Sequence, residues 1–273
     1  MNRTNVVSIL TVCFLALTID FAMAANVTFT VFGDGNFSTV ANWEQIPVSK
    51  DILRGENGTS TGKPALVDPA FTTDFGNAYI CPSAAGTAVV EVQAGAKLKA
   101  MNLYIGHNIQ SAPCGQLTIR SGGKLEGAFG KIFIGSKGKG MLTVEPEADL
   151  SWPILEIGPA GTLTFQFGAN SVSTFKATVK KAGLSNTLDG LLQVDLAQLK
   201  QAGDYVLIDG AASEIGGALR IWLVSKGGSF SGSGDFAGTN FSVLNGGNWN
   251  WTLQLDDKNR DLVLIIAPAK TVG

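Results

Sequence analysis

The stretch Gly115-Gln116-Leu117-Thr118-Ile119-Arg120-Ser121-Gly122-Gly123-Lys124-Leu125, followed by Ile132-Phe133-Ile134-Gly135, decides the fold because its parts recur on both sides. Leu117-Thr118-Ile119 places two apolar residues around one polar residue, as do Val90-Glu91-Val92, Leu142-Thr143-Val144 and Leu163-Thr164-Phe165. The closing phrase recurs as Leu103-Tyr104-Ile105-Gly106 and Leu155-Glu156-Ile157-Gly158. Between the two phrases sits a small-residue corner with one aliphatic after it: Ala94-Gly95-Ala96-Lys97-Leu98, Ser121-Gly122-Gly123-Lys124-Leu125, Glu147-Ala148-Asp149-Leu150. Matching positions lie 29 apart from Gly106 to Gly135, 23 from Gly135 to Gly158, 25 from Leu117 to Leu142 and 21 from Leu142 to Leu163.

Self-similarity at this period, built from three-residue strands without a helical stripe, is the signature of a stacked solenoid. Alternate side chains of each strand point in and out, and glycine corners supply backbone angles that other residues tolerate poorly. One coil cannot bury its apolar side alone, whereas stacked coils share a core and pair their backbones in parallel. The expectation is an all-β parallel β-helix over 86–182, with 25–85 as an N-terminal strand and cap. Residues 183–273 are then an antiparallel β region that continues or caps the solenoid.

These phrases resemble the repeat units of secreted parallel β-helix proteins of the autotransporter-passenger-like group, whose coils read roughly G-x-L-T-[VI]-x-x-G-G-x-L…L-x-I-G. Gly33-Asp34-Gly35-Asn36-Phe37-Ser38…Ala41-Asn42-Trp43 looks like the opening of such chains. Gly247-Asn248-Trp249-Asn250-Trp251-Thr252-Leu253 with Asp261-Leu262-Val263-Leu264 looks like their closing segment. The resemblance implies a surface, matrix or adhesive role. The hand expected of the coils is right, the default for parallel connections.

Of 273 residues, 45% are hydrophobic and 15% charged, enough to fill a large core, and the net charge is −2. The 34 glycines without a strict triplet period mark turns rather than collagen. No basic face exists to displace counterions, which excludes nucleic acid as partner. Met1–Ala24 has Arg3, an apolar run from Val6 to Ile19, and Ala22-Met23-Ala24 as an A-x-A site, the layout of a cleaved secretory signal. A spanning helix needs about 20 apolar residues, and Asp20 cuts this run short. The mature chain is expected outside the cytoplasm, secreted or at the cell surface, with no transmembrane segment.

Cys13 leaves with the signal, and the remaining pair, Cys81 and Cys114, reads as one disulfide in an oxidising compartment. A zinc or redox site would need C-x-x-C and companion histidines, which are absent from the sequence. Sequons stand at Asn26, Asn36, Asn57, Asn240 and Asn250. Along the chain, Val27–Phe32 reads as a strand, Leu192–Leu196 as a strand before a brief helical turn at 197–201, and Asp204–Asp209 and Leu219–Val224 as strands. Ser225–Gly238 reads as a flexible connection, and 249–255 with 262–266 as a hairpin. Helix content should be low.

No constellation for catalysis emerges, and no cofactor or metal is implied. His107 is the single histidine, on a corner, and one imidazole does not make a zinc site. Asp257–Asp261 opens like a calcium loop but has Leu262 where glycine is required. The serious enzymatic alternative is a polysaccharide lyase or hydrolase, which needs converging carboxylates. Outward positions of the first strand read Glu91, Thr118, Thr143, Thr164, a polar ladder with one acid, while Glu145, Glu147 and Asp149 share one coil. Tyr104, Phe133 and Trp152 form a candidate aromatic platform for sugar rings. The expected role is a non-catalytic structural or adhesive solenoid, assembling as a homo-oligomer or filament, with polysaccharide binding or cleavage as the alternative.

Overall fold

The computed structural model describes residues 26–29, 36–39, 41, 43, 52–55, 64–80, 87–107, 113–178, 186–210, 220–256 and 261–269. Strands β1 (Asn26–Phe29) and β2 (Ile52–Gly55) come first, then β3 (Ala65–Val67) with β4 (Phe75–Ile80), and β5 (Ala88–Val92) with β6 (Lys97–Ile105). Four turns follow with a strand on each of three faces. They are β7 (Pro113–Ile119), β8 (Lys124–Gly127) and β9 (Lys131–Ile134); then β10 (Lys139–Val144), β11 (Asp149–Trp152) and β12 (Ile154–Ile157). Next are β13 (Gly161–Gln166), β14 (Phe175–Ala177) and β15 (Thr187–Leu188), then β16 (Leu191–Asp195), β17 (Gly203–Asp209) and β18 (Arg220–Ile221). The chain closes with β19 (Ser229–Ser233), β20 (Phe236–Ala237), β21 (Phe241–Leu244), β22 (Trp249–Leu255) and β23 (Leu262–Pro268).

The molecule is a β-solenoid in which about four turns carry a strand on every face, with parallel pairing between them. The first face stacks β3-β5-β7-β10-β13-β16-β21, the second β6-β8-β11-β14-β17, and the third β1-β2-β4-β6-β9-β12-β15-β18. β6 bends through two faces, pairing with β8 by its first half and β9 by its second. Leu117, Leu142, Leu163 and Leu192 lie in one register column on the first face. Leu98, Leu125, Leu150 and Phe175 align on the second, and Ile105, Ile134, Ile157 and Leu188 on the third. All these side chains are buried, so the repeated phrases share one dry interior.

Parallel stacking reaches past 86–182 on both sides: β2 pairs β4, β4 pairs β6, and β16 and β18 extend the first and third faces. The segment read as a cap thus contains earlier turns, with Trp43, Phe37, Phe71 and Phe75 packed as an aromatic cluster inside. Among the described residues the antiparallel strand pairs lie at the end, where β23 covers the edge of β17, β22 pairs β23, β19 pairs β22, and β20 folds onto β21.

Three local expectations are corrected. Residues 197–201 form a corner turn rather than a helical turn, with Leu199 N–H donating to the Leu196 carbonyl at 3.0 Å. The strand expected over Leu219–Val224 is limited to Arg220–Ile221, and Trp222–Lys226 is a 3-10 turn. Ser229–Ser233, inside the tract read as flexible, is a strand of the closing sheet; its Gly232 lies beneath the Trp251 indole, where a Cβ would collide with the ring. Met1–Ala24, Cys81, Asn57 and Asp257 lie outside the described residues, and of Cys114 only the backbone is described.

The corner column Gly95, Gly122, Glu147 shows what one turn gives up. The three are tied by Gly95 N–H to the Gly122 carbonyl and Gly122 N–H to the Glu147 carbonyl. All have positive φ, 75°, 74° and 67°. A side chain in this region costs about 1–2 kcal/mol, against ~0.5–1 kcal/mol for the added chain entropy of glycine. Glu147→Gly is therefore expected to stabilise the fold by up to ~1 kcal/mol, read as a higher midpoint in urea at unchanged slope.

Candidate functional site

Because strands alternate, every outward position forms a column along the axis, and each face has its own chemistry. The third face is aromatic. Tyr79, Tyr104 and Phe133 are register partners, with ring centroids 4.7 and 4.8 Å apart and planes within 7° and 4° of parallel. His107 stands edge-on to both tyrosines at 5.4 and 4.9 Å, and its Nδ1 is 3.1 Å from Ser136 Oγ. Lys131 Nζ lies 5.4 Å over the Phe133 ring and 3.2 Å from Glu156. Stacked rings present their edges outward and bury their faces in one another, so the geometry is a lengthwise brace.

Of the expected platform, Tyr104 and Phe133 come together and Trp152 does not. Trp152 is fully buried on the second face. Leu150 and Trp152 have the same strand parity, so both point inward. The indole fits because Gly127 lies beside it, where a Cβ would strike the ring, and Ala177 is its register partner. Its N–H is buried without a partner among the described residues. Tyr79, missed in the sequence, carried a signal: Ala78-Tyr79-Ile80 repeats the pattern of Leu103-Tyr104-Ile105 and pairs with it in register.

Burial, and then nearby Lys137, hold the His107 imidazole below its ordinary range. A depressed folded-state value means that this group's stabilisation is complete above the unfolded value of about 6.5 and is lost as pH falls through the folded one. As the chain has one histidine, its NMR C2–H signal is expected to titrate below pH 6.5 and, in Tyr104→Ser, to move back toward the ordinary value. The Tyr104 hydroxyl is displaced upward, chiefly by burial, then by Tyr79 and Glu156.

The second face carries a charge ladder: Lys99 to Asp74 at 2.7 Å and Glu126 at 3.9 Å, Asp149 to Lys124 at 3.5 Å and Lys176 at 3.4 Å. The first face carries the polar ladder Glu91, Thr118, Thr143, Thr164 in register as expected, extended by Gln193 and Ser242. Thr164 Oγ1 donates to Gln193 Oε1 at 3.2 Å, and Gln193 Nε2 donates to Ser242 Oγ at 3.0 Å.

Two carboxylates from non-adjacent turns do converge, which the sequence reading missed. Arg120 holds Glu91 through Nε at 3.0 Å and Nη2 at 2.8 Å, and Glu145 through Nη1 at 2.6 Å. Ser121 N–H donates to the other Glu145 oxygen at 3.0 Å. The paired acids raise the guanidinium further above its usual range. Glu145, Glu147 and Asp149 go to separate partners or none: Glu145 to Arg120, Asp149 to two lysines, Glu147 to the strained corner. Because the Arg120 head is 44% exposed, Arg120→Ala is expected to cost about 1 kcal/mol, with the loss shrinking at 1 M salt.

Beside this triad, along the edge between first and second faces, runs a groove of about 340 Å³ lined by Ser121, Glu145, Pro146, Gln166, Asp195 and Gln198 among others. Phe167 and Gly168 of its lining begin an excursion at 167–174, closed by a bridge between Phe167 and Val172 and by Gly168 N–H to the Ser171 carbonyl at 2.8 Å.

Among the sequons, Asn240 and Asn250 are engaged, donating to the Asp189 carbonyl at 3.0 Å and the Pro268 carbonyl at 3.3 Å. Asn26 lies in β1 and Asn36 bridges Leu66. Comparison of the chain with family models, with curated proteins and with solved structures finds no match. The fold and the ladders define a class, the parallel β-solenoid, and nothing narrower.

Proposed function

We propose that this chain is a secreted, non-catalytic structural or adhesive rod of the cell surface or extracellular matrix, as in the autotransporter-passenger-like proteins its repeats resemble. The observation that carries the reading is the continuity of the outward ladders. Hydroxyl and amide hydrogen bonds on the first face, ion pairs on the second and stacked rings on the third run along the axis and engage much of the surface chemistry in bracing neighbouring turns. The antiparallel strands over β17 and β21 end the parallel repeat, so association between copies runs through the sides or the other end. Phe129, 84% exposed, and Met101, 46% exposed, stand on the same edge and supply apolar contact for lateral association.

Expression in a secreting host tests this. The exported protein should begin at Ala25, carry Cys81 joined to Cys114 on a non-reducing peptide map, and release no product from acidic or neutral polysaccharides. It should also self-associate with rising concentration in light scattering, less so in Phe129→Ser. Retention of Met1, or unsaturated or reducing sugar products, would overturn the reading.

A further inference from the structure

We propose that the groove along the edge between the first and second faces is a binding site for a neutral, extended glycan chain lying parallel to the solenoid axis. Its volume of about 340 Å³ falls within the ~300–1,000 Å³ of ligand pockets. The groove spans the turns that contribute Ser121, Glu145, Gln166 and Asp195. Gln166 and Asp195 are register partners, and Glu145 follows the pair Val144 and Phe165. Polar groups therefore repeat along it every ~4.8 Å, close to the advance of successive rings in an extended glycan.

The donors and acceptors suit hydroxyl groups. The Gln166 and Gln198 amides, each a donor and an acceptor, have no hydrogen-bond partner among the described residues. Asp195 uses Oδ1 for Ala197 N–H at 3.0 Å and Asn245 Nδ2 at 2.7 Å, which fixes the carboxylate and leaves Oδ2 for a hydroxyl. Pro146, Gly168 and Ala197 give low apolar surface on which a ring face can rest. No Lys or Arg lines the groove, and Arg120 beside Glu145 is held by Glu91 and Glu145, so nothing in the lining answers a uronic acid and Asp195 repels one. Glu145 is tied to Arg120 and the Ser121 N–H, so Asp195 Oδ2 is the one carboxylate oxygen offered to the sugar, and the site is proposed for binding.

The inference goes beyond the scaffold reading and does not depend on it, since export and absence of product release are measured separately. Calorimetric titration of the exported chain with cellohexaose, laminarihexaose and hexagalacturonate decides it. One of the two neutral sugars should bind. Gln166→Ala and Gln198→Ala should each weaken it by about tenfold or more, while Gln116→Ala, on the first face away from the groove, should leave it unchanged. No binding of either neutral hexasaccharide, tighter binding of hexagalacturonate, or unchanged affinity in Gln166→Ala would overturn the assignment.

Discussion

Gly161→Ala is expected to lower the thermal midpoint by roughly 6–12 °C, from the addition of one methyl group. Gly115, Gly140 and Gly161 are register partners at the corner where each turn re-enters the first face. A Cβ on Gly161 would be driven into the Ile134 carbonyl oxygen, with the Ile134 carbonyl carbon at 2.8 Å and Ile157 Cγ2 at 2.9 Å. Backbone belonging to the neighbouring turn cannot rotate away as a side chain can, so the cost sits near the top of the usual overpacking range, ~3 kcal/mol. At ~2–4 °C per kcal/mol for a chain of this size, that gives the stated shift. Gly203→Ala is the control, because its methyl would meet Tyr205 ring atoms at an ordinary 3.8 Å, and its midpoint should move by less than ~3 °C.

Trp152→Ala should cost ~3–5 kcal/mol, the penalty for emptying a large buried aromatic site. The indole is among the largest fully buried side chains, and Gly127 and Ala177 leave the room it fills. The complementary change is Gly127→Ala, which pushes a methyl into the ring and should destabilise by ~1–3 kcal/mol. Combining Gly127→Ala with Trp152→Leu should recover part of the loss, with a coupling of ~1–3 kcal/mol in a double-mutant cycle. Additive effects would place the indole away from Gly127. The same cycle separates a structural Trp152 from a ligand platform, since a surface ring would have no coupling to a glycine on the preceding turn.

Where the alternation is unbroken, side-chain direction was legible from the residues alone. Leu117-Thr118-Ile119 and its kin have one polar residue between two apolar ones, and burial follows that order except at Thr164, which is itself buried. The reading failed where a turn departs from the common length. Phe241-Ser242-Val243 is the same phrase as Leu192-Gln193-Val194 and pairs with it, but a 3-10 turn and the extra strands β19 and β20 intervene after β17 and β18, so the period no longer shows. Ala78-Tyr79-Ile80 was hidden for the opposite reason, lying among prolines and glycines that suggest loops.

Composition misled at Ser229–Ser233, where small residues are a packing requirement beneath Trp251 and not a sign of mobility. Trp152 was expected on the aromatic platform although Leu150 two residues earlier fixes its direction inward. The convergence of Glu91 and Glu145 on Arg120 was beyond a reading of strand triplets, because Arg120 and Glu145 occupy the slot just after the triplet. Only the stacking of that slot on successive turns brings them together.

The register between turns carries every statement above, and cysteine pairs on the first face measure it most directly. Thr118 and Thr143 are register partners, which puts their Cα atoms ~4.8 Å apart, inside the ~4.4–6.8 Å that a disulfide accepts. Thr118 and Thr164 are separated by a further strand, at about twice that spacing. Under mild oxidation, Thr118→Cys/Thr143→Cys should cross-link within the monomer and Thr118→Cys/Thr164→Cys should not, as mapped by peptide mass spectrometry. Cross-linking of the second pair as readily as the first, or of neither, would contradict the solenoid register.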